Sequence, residues 1–361
     1  MQVRFWGTRG SIATPGPTTL RYGGNTSCVE VRLEDGALLI FDAGTGLRAL
    51  GQALLAHPGP VRAHLCLSHT HWDHIQGLPF FPPAYLAGTE LTILGPGHGR
   101  LTLEKIVTGQ MRRPYFPLPM HAMAAKINFV QLGEGNVVEL PNGVTVESGV
   151  VNHPGCTLGY RLMVNGTVLT YTTDNEPFGD VAASQHLAQP SHHVALARDA
   201  DLLIQDAQYT PEEYHQSRVG WGHSTYLDAL HIAQQAHAKR LVLFHHDPSH
   251  TDDYLDALLV RALELWGDAP NPPVLGEMGN SYIRHSLRRH SSKDSLTICE
   301  QKRYGLWRHI AASLLWVPHR ADGGVAASAQ RAVSCAFSSK FCPCLTFPAS
   351  RCLFSLGGRQ G

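Results

Sequence analysis

Three imidazoles and one carboxylate fall within the six residues His69-Thr70-His71-Trp72-Asp73-His74. That donor set suits a pair of borderline divalent cations, which take neutral ring nitrogens together with a carboxylate oxygen that can also hold water. In an extended loop alternate residues point the same way, so His69 and His71 address one ion while the adjacent Asp73 and His74 turn to a second. The competing reading, a histidine-rich surface turn or adventitious chelator, is the poorer one for so dense a motif. The run before it, Val61-Arg62-Ala63-His64-Leu65-Cys66-Leu67, is apolar and strand-like, and Ile75-Gln76-Gly77-Leu78-Pro79 opens a short helix or turn. The donors therefore sit on a loop at the end of a strand.

The elements that must position this loop can be read in chain order. Arg4-Phe5-Trp6-Gly7 is a strand running into a Gly-rich turn through Gly10-Ser11, followed by Arg21 to Ser27; the glycines read as an anion-facing loop or as a plain connection. Cys28 to Arg32 and Ala37 to Phe41 flank Asp35-Gly36 as a hairpin, and the second strand ends at Asp42-Ala43-Gly44. Gly99 to Gln110 reads as a helix. The prolines of Arg112 to Pro119 forbid regular structure, leaving an aromatic and basic loop that packs on the surface, covers the site or meets a second subunit, so a homodimer stays open. Strands at Val144 to Glu147 and Val168 to Thr173 lead to Asn152-His153 and to Asp174, and Leu202 to Ala207 is a further buried strand. Tyr209 to Arg218 is polar. Gly222-His223-Ser224-Thr225 then precedes a helix over Tyr226 to Ala238, where capping alone would account for the Ser and Thr. A strand at Leu241 to Phe244 ends in His245-His246. Thr251-Asp252-Asp253 caps a helix over Tyr254 to Trp266, whose Leu255, Leu258, Leu259 and Leu263 recur at helical spacing and read as core.

The chain has 361 residues, 43% of them hydrophobic, which is enough for a full core in one large or two smaller domains. It contains no apolar run long enough for a membrane span, and its first residues read as a strand rather than a secretory leader, so a cytoplasmic protein is expected. The net charge of zero hides an asymmetry. Residues 286–361 carry 11 Lys and Arg against 3 Asp and Glu, leaving 18 basic and 26 acidic residues in 1–285. An acidic body argues against a large nucleic-acid footprint without closing that option. Five of eight cysteines (Cys299, Cys335, Cys342, Cys344, Cys352) also fall in the basic tail, whereas Cys28, Cys66 and Cys156 read as buried free thiols. A domain over 1–285 followed by a Cys- and Ser-rich tail over 286–361 is the expected division.

His-Thr-His-Trp-Asp-His has the H-x-H-x-D-H pattern of the metallo-β-lactamase superfamily, which the chain resembles from about Met1 to Leu275. The resemblance implies an α/β fold, a four-layer αββα sandwich with a dinuclear site between the sheets. It implies that His69, His71, His153 and Asp174 hold one metal and that Asp73, His74, His245 and the shared Asp174 hold the other, with His246 as the alternative to His245. Asp42 would brace the metal loop instead of binding an ion. Two divalent ions are implied, Zn²⁺ first with Mn²⁺ as an alternative, and Fe²⁺ is chemically acceptable to the same donors. Flavodiiron proteins of this fold place a Glu where His71 stands, which disfavours redox chemistry.

Within the superfamily, Asn152-His153 with Thr157-Leu158-Gly159-Tyr160, and Gly222-His223-Ser224-Thr225, resemble ribonuclease Z and its phosphodiesterase relatives more than glyoxalase II. The implied reaction is hydrolysis of a phosphodiester by a metal-activated water that Asp73 orients, with His223 protonating the leaving oxygen. Bacterial ribonuclease Z inserts a tRNA-gripping arm between the positions matched by His153 and Asp174, and 21 residues leave no room for one. A small diester such as a cyclic nucleotide or cyclic sugar phosphate is therefore the expected substrate. The alternatives are a ribonuclease Z-like endonuclease and a carboxylester, lactone or thioester hydrolase on the same metals.

Overall fold

The computed structural model describes residues 1–57, 59–177 and 190–279, with the short strands Ser281–Ile283 and Thr297–Cys299. Its strands read as nearly unbroken apolar runs because most are covered on both faces. In β1 (Gln2–Gly7), β2 (Cys28–Arg32) and β3 (Leu38–Phe41), the residues Val3, Phe5, Val29, Val31, Leu39 and Phe41 turn towards a second sheet. Leu38 and Ile40, on the opposite face of β3, pack beneath α1 (Gly46–Leu55). Each such side chain, once fully buried, stabilises the fold by roughly 1.5–3 kcal/mol.

The first sheet continues through β4 (Arg62–Cys66), β5 (Glu90–Pro96) and β6 (Lys126–Leu132), with β3 to β6 mutually parallel, and the single-turn helix α2 (Trp72–Ile75), which carries Asp73 and His74, lies between β4 and β5. The second comprises β7 (Val137–Leu140), β8 (Val144–Val151), β9 (Thr157–Val164), β10 (Thr167–Thr172), β11 (Leu202–Asp206), β12 (Leu241–Phe244) and β13 (Val274–Leu275), of which β10 to β13 are parallel. β14 (Ser281–Ile283) returns to pair with β1, and β15 (Thr297–Cys299) pairs with β14. Apolar residues of both sheets interdigitate as one core, and α4 (Pro190–Ala197), α6 (Tyr226–Gln235) and α7 (Asp252–Trp266) cover the outer face of the second sheet. Helices thus lie outside two facing sheets, the expected αββα order.

Hydrogen bonds stitch the sheets together above this core. The Tyr160 hydroxyl donates to the Leu67 carbonyl at 2.6 Å and Tyr171 to Asp42 at 2.7 Å. Arg9, fully buried, donates to the carbonyls of Gly23 (2.8 Å) and His250 (2.6 Å) and pairs with Asp252 at 3.4 Å. It thereby ties the turn after β1 to the start of α7.

Several sequence expectations need correction. The helix expected over 99–110 is shorter, α3 (Leu103–Gly109), because Thr102 caps it and Gly99 sits at a φ of 57°. The polar run 209–218 contains a helix, α5 (Pro211–Ser217), held by a reciprocal Thr210–Glu213 capping box with Pro at its start. α6 stops at Gln235, since His237 adopts a left-handed φ of 53°. Leu255 and Leu258 are buried as expected, but Leu263 is 37% exposed. Cys28 and Cys66 are buried free thiols, whereas Cys156 is only half-buried.

The loop 112–119 does not line the pocket above the His/Asp donors; Arg112 and Arg113 border a separate groove against α3 and β6. Apart from β15, the expected tail over 286–361 lies outside the described residues. No helix among the described residues is long and apolar enough to cross a membrane.

Candidate metal centre

Parallel strands bring their carboxyl ends to one edge, and there the chain places its chemistry. Asp42 follows β3, Ser68-His69 follow β4, His153 follows β8, Asp174 follows β10, Asp206 ends β11 and His245 follows β12. Asp42, Asp174 and His245 all take positive φ values, of 59°, 49° and 64°. A left-handed residue at a strand end turns the backbone sharply, at a cost of order 1 kcal/mol or more that surrounding packing must offset.

The seven expected ligands meet as two donor groups, and a third, overlapping group joins Asp174, Asp206, His223 and His245. His69, His71 and His153 form one, and Asp73, His74, Asp174 and His245 the other, with the nitrogen and oxygen atoms of each group within 4.8 Å of one another. Asp174 addresses both, one oxygen to each. Its Oδ2 lies 3.6 Å from Nε2 of His69 and 3.6 Å from Nε2 of His153. Its Oδ1 lies 3.2 Å from Nε2 of His74 and 3.1 Å from Nε2 of His245. All seven residues expected as ligands are therefore brought together, and Nε2 of His245 is the one that reaches Asp73 and Asp174. His246 is turned away, with its Nε2 on the Gly276 carbonyl at 3.0 Å. Burial and the neighbouring Arg9 push its pKa down to about 3.

The arrangement fits cations better than protons. Nε2 of His69 and Nε2 of His74 are buried and find no hydrogen-bond partner among the described residues, although carboxylate oxygens stand 3.1–3.6 Å away. Those oxygens are close enough to share an ion with the ring nitrogens. Burial lowers the pKa of His69, His71 and His153, the last to about 4, so these rings are neutral and able to ligate. Burial alone would raise Asp73 and Asp174, yet the surrounding histidines hold both well below the usual carboxylate range. His74 is the counterpart: despite burial, Asp174, Asp73 and Asp42 hold it well above the ordinary imidazole value. A buried site that keeps carboxylates ionised and gathers ring nitrogens is built for a divalent ion, which would displace the His74 proton.

Behind the donors, side chains fix their orientation. Asp42 is fully buried and accepts from the Ser68 amide (2.7 Å), the Ser68 hydroxyl (2.9 Å), the Tyr171 hydroxyl (2.7 Å) and Nδ1 of His74 (2.8 Å). Holding the His74 Nδ1 proton leaves Nε2 as the ligating atom. Asp42→Asn presents an amide to four donors, so metal affinity is expected to fall about 10–100-fold; competition with a chromophoric chelator measures it. His153 donates Nδ1–H to the Gly222 carbonyl at 2.8 Å, and Nδ1 of His245 meets Gln208 Oε1 at 3.0 Å. The Gly-rich turn after β1 faces an anion that belongs to the protein, for the Ser11 amide donates to Asp73 Oδ2 at 2.8 Å. Gly10 in that turn has no room for a side chain, because a Cβ would stand 2.6 Å from the His245 ring.

His223 lines the same pocket as His71, Asp73, His153 and Asp174. Its Nδ1 bonds Asp206 Oδ2 at 2.8 Å, and Asp206 Oδ1 accepts the amides of Ser224 (3.0 Å) and Gln208 (3.1 Å). Burial opposes a charge on this ring, but Asp206, with Asp174 and Asp73 beyond it, raises its pKa above the ordinary value. Asp206 carries no local motif, and sequence reasoning passed over it; its one signal is its place at the end of a buried strand, like Asp174.

Comparison with known proteins agrees with this geometry. Residues 38–246 match the family described as "Beta-lactamase superfamily domain". The chain is 26% identical over 307 residues to the ribonuclease Z of Haloferax volcanii, an alignment covering 74% of this chain and 90% of that protein. Its fold is similar to that of YhfI from Bacillus subtilis, a metallo-β-lactamase fold protein, at a TM-score of 0.54 and 18% identity over 78% of this chain and 97% of that one. A diphosphatase from the PhnP family superposes with a TM-score of 0.53 and 18% identity, covering 82% of this chain and 99% of that one. With more than half its length inside the matched family, the chain belongs to the β-lactamase superfamily as a hydrolase of the metallo-β-lactamase fold.

Proposed function

We propose that the protein hydrolyses a small phosphodiester of the cyclic nucleotide or cyclic sugar phosphate type, through a site in residues 1–285. The observation that carries this reading is the His223–Asp206 pair set in the wall of the donor pocket. An alkoxide leaving phosphorus needs a proton; a thioester's thiolate does not, and although a carboxylester or lactone shares the need, the resemblance of Gly222-His223-Ser224-Thr225 to phosphodiesterase relatives favours phosphorus. With Nδ1 committed to Asp206, Nε2 is the ring atom available to carry that proton. Bound at His69, His71, His153 and Asp174, and at Asp73, His74, His245 and Asp174, divalent ions would lower the pKa of water towards ~7 and offset the charge on the phosphate oxygens.

The chain's own groups supply the remainder. Asp73, held by the Ser11 amide, orients the attacking oxygen as the new P–O bond forms. His223 gives its proton to the leaving oxygen as the old P–O bond breaks, and Asp206 steadies the imidazole in the required tautomer.

The size of the substrate is supported by what lies between His153 and Asp174. β9 and β10 pair directly and turn at Asn165–Gly166, so the segment is consumed by a hairpin and offers no arm for tRNA. RNA cleavage is the second reading, favoured by relatives that are ribonucleases Z. Metal-supplemented protein assayed on 2′,3′- and 3′,5′-cyclic nucleotides, cyclic ribose phosphate and a structured precursor tRNA separates the two. We expect kcat/KM to be highest on a cyclic diester. Preference for the tRNA replaces this reading with the endonuclease, and turnover of lactones or thioesters alone replaces it with the acyl hydrolase.

A further inference from the structure

We propose that Glu176 is a positioning residue for this reaction: its buried carboxylate latches the 220–223 loop and so aims the His223 ring at the leaving oxygen. The inference rests on the phosphodiesterase reading above. Glu176 is 6% exposed, and both of its carboxylate oxygens are engaged. Oε1 accepts from the Gly220 amide at 2.7 Å and the Tyr214 hydroxyl at 2.6 Å, and Oε2 accepts from the Gly222 amide at 2.8 Å. Two amides spaced two residues apart converge on one carboxylate only if the backbone turns back on itself, and Gly220 and Gly222 do so at φ values of 82° and 86°.

The Gly222 peptide then works in both directions. Its N–H is held by Glu176, and its carbonyl accepts Nδ1–H of His153 at 2.8 Å. No side chain fits at this point, because a Cβ on Gly222 would lie 2.2 Å from His153 Nδ1. The next residue is His223. On its far side, the Ser224 hydroxyl donates to the Asn175 carbonyl, so the acid is bracketed fore and aft by the residues directly following Asp174. The Glu176 backbone is itself pinned to Asn152, the residue before His153, with its amide on the Asn152 carbonyl at 2.8 Å. One short segment thus sets three groups in a common register: Asp174, His153 and His223. An ionised group is costly to bury, and here three donors offset that cost to fix a loop whose one reactive side chain is His223.

The test compares Glu176→Gln, which keeps the volume but turns an amide towards a donor, with His223→Ala and with the double variant, at matched metal content. Two substrates are used. 2′,3′-Cyclic AMP expels an alkoxide that needs a proton, and bis(p-nitrophenyl) phosphate expels a phenolate that scarcely does. Glu176→Gln is expected to lower kcat on the cyclic diester by roughly 10–100-fold, with KM little changed, and on the nitrophenyl diester by less than about threefold. The double variant should be no worse than His223→Ala alone. Equal losses on both substrates, or additive losses in the double variant, overturn the proposal in favour of a loop anchor without influence on the acid. Hydrogen exchange at the Gly220 and Gly222 amides reads the latch without turnover: it should quicken in Glu176→Gln, and unchanged exchange overturns the proposal. If the wild type cleaves neither diester, the phosphodiesterase reading fails, and the exchange result still decides the latch.

Discussion

Asp174→Asn is expected to lower turnover by at least about 10³-fold and to strip the protein of half or more of its metal. The size of the effect follows from the division of labour within one carboxylate: Oδ2 stands at 3.6 Å from each of two histidines of one donor group, and Oδ1 at 3.1–3.2 Å from two histidines of the other. No other described carboxylate spans both groups in this way. An amide keeps the shape but loses the charge that offsets repulsion between two cations, and its NH₂ faces ring nitrogens that must themselves be unprotonated to ligate. The damage extends to the metal-free protein. Asp174, together with Asp73 and Asp42, raises the pKa of the buried His74, so removing one of the three weakens that support. Atomic emission on dialysed protein, beside a diester assay, measures both quantities. Asp174→Glu separates charge from reach: the charge is restored, but a longer side chain moves both oxygens off their donors, and activity is expected to stay low. Full metal content with wild-type turnover in Asp174→Asn would remove Asp174 from the bridging role.

What could be read from the chain beforehand was what is local in sequence. His69 to His74 supply two donor groups from six consecutive residues, so the motif announced itself before any tertiary contact was known. The apolar runs ending at Phe41, Leu67, Thr172 and Phe244 placed Asp42, His69, Asp174 and His245 at strand ends, because strands buried on both faces leave a strong signature. The contacts that complete the site are not local, and they left no such mark. Asp206 meets His223 across 17 residues and Tyr171 meets Asp42 across 129, and neither pairing has a pattern that a window can detect. The bond from Ser11 to Asp73 is made by a backbone amide, which every non-proline residue owns.

Misread elements have equally specific causes. α5 lacks an apolar stripe, so periodicity hid it even though Thr210-Pro211-Glu212-Glu213 spells a capping box. Leu263 has the right spacing for the buried face of α7 but lies near its edge, where one step of 100° separates core from solvent. The resemblance favoured His245 and left His246 as the alternative. The left-handed turn at His245, with its φ of 64°, directs the first ring to Asp174 and the second to the Gly276 carbonyl.

His223→Ala should separate chemistry from metal binding, because this ring packs against His153 and His245 but lies outside the two groups that carry the seven expected ligands, its Nδ1 being taken by Asp206. Its loss is expected to slow hydrolysis of a cyclic diester by about 10²–10⁴-fold while metal content stays near wild type. The nitrophenyl diester should lose far less, since its leaving group departs without a proton. Asp206→Asn carries the same argument to pH. Burial works against the charged ring, and the Asp206 carboxylate is the chief group that outweighs it, so His223 stays protonated to higher pH than an ordinary imidazole. Removing that negative charge lowers the pKa of His223. A general acid is lost as pH rises through its pKa, so the alkaline limb of kcat should move to lower pH in Asp206→Asn, with the acidic limb unmoved. A variant His223→Ala that cleaves the cyclic diester at the wild-type rate would remove the acid from the mechanism, and with it the observation on which the phosphodiesterase reading rests.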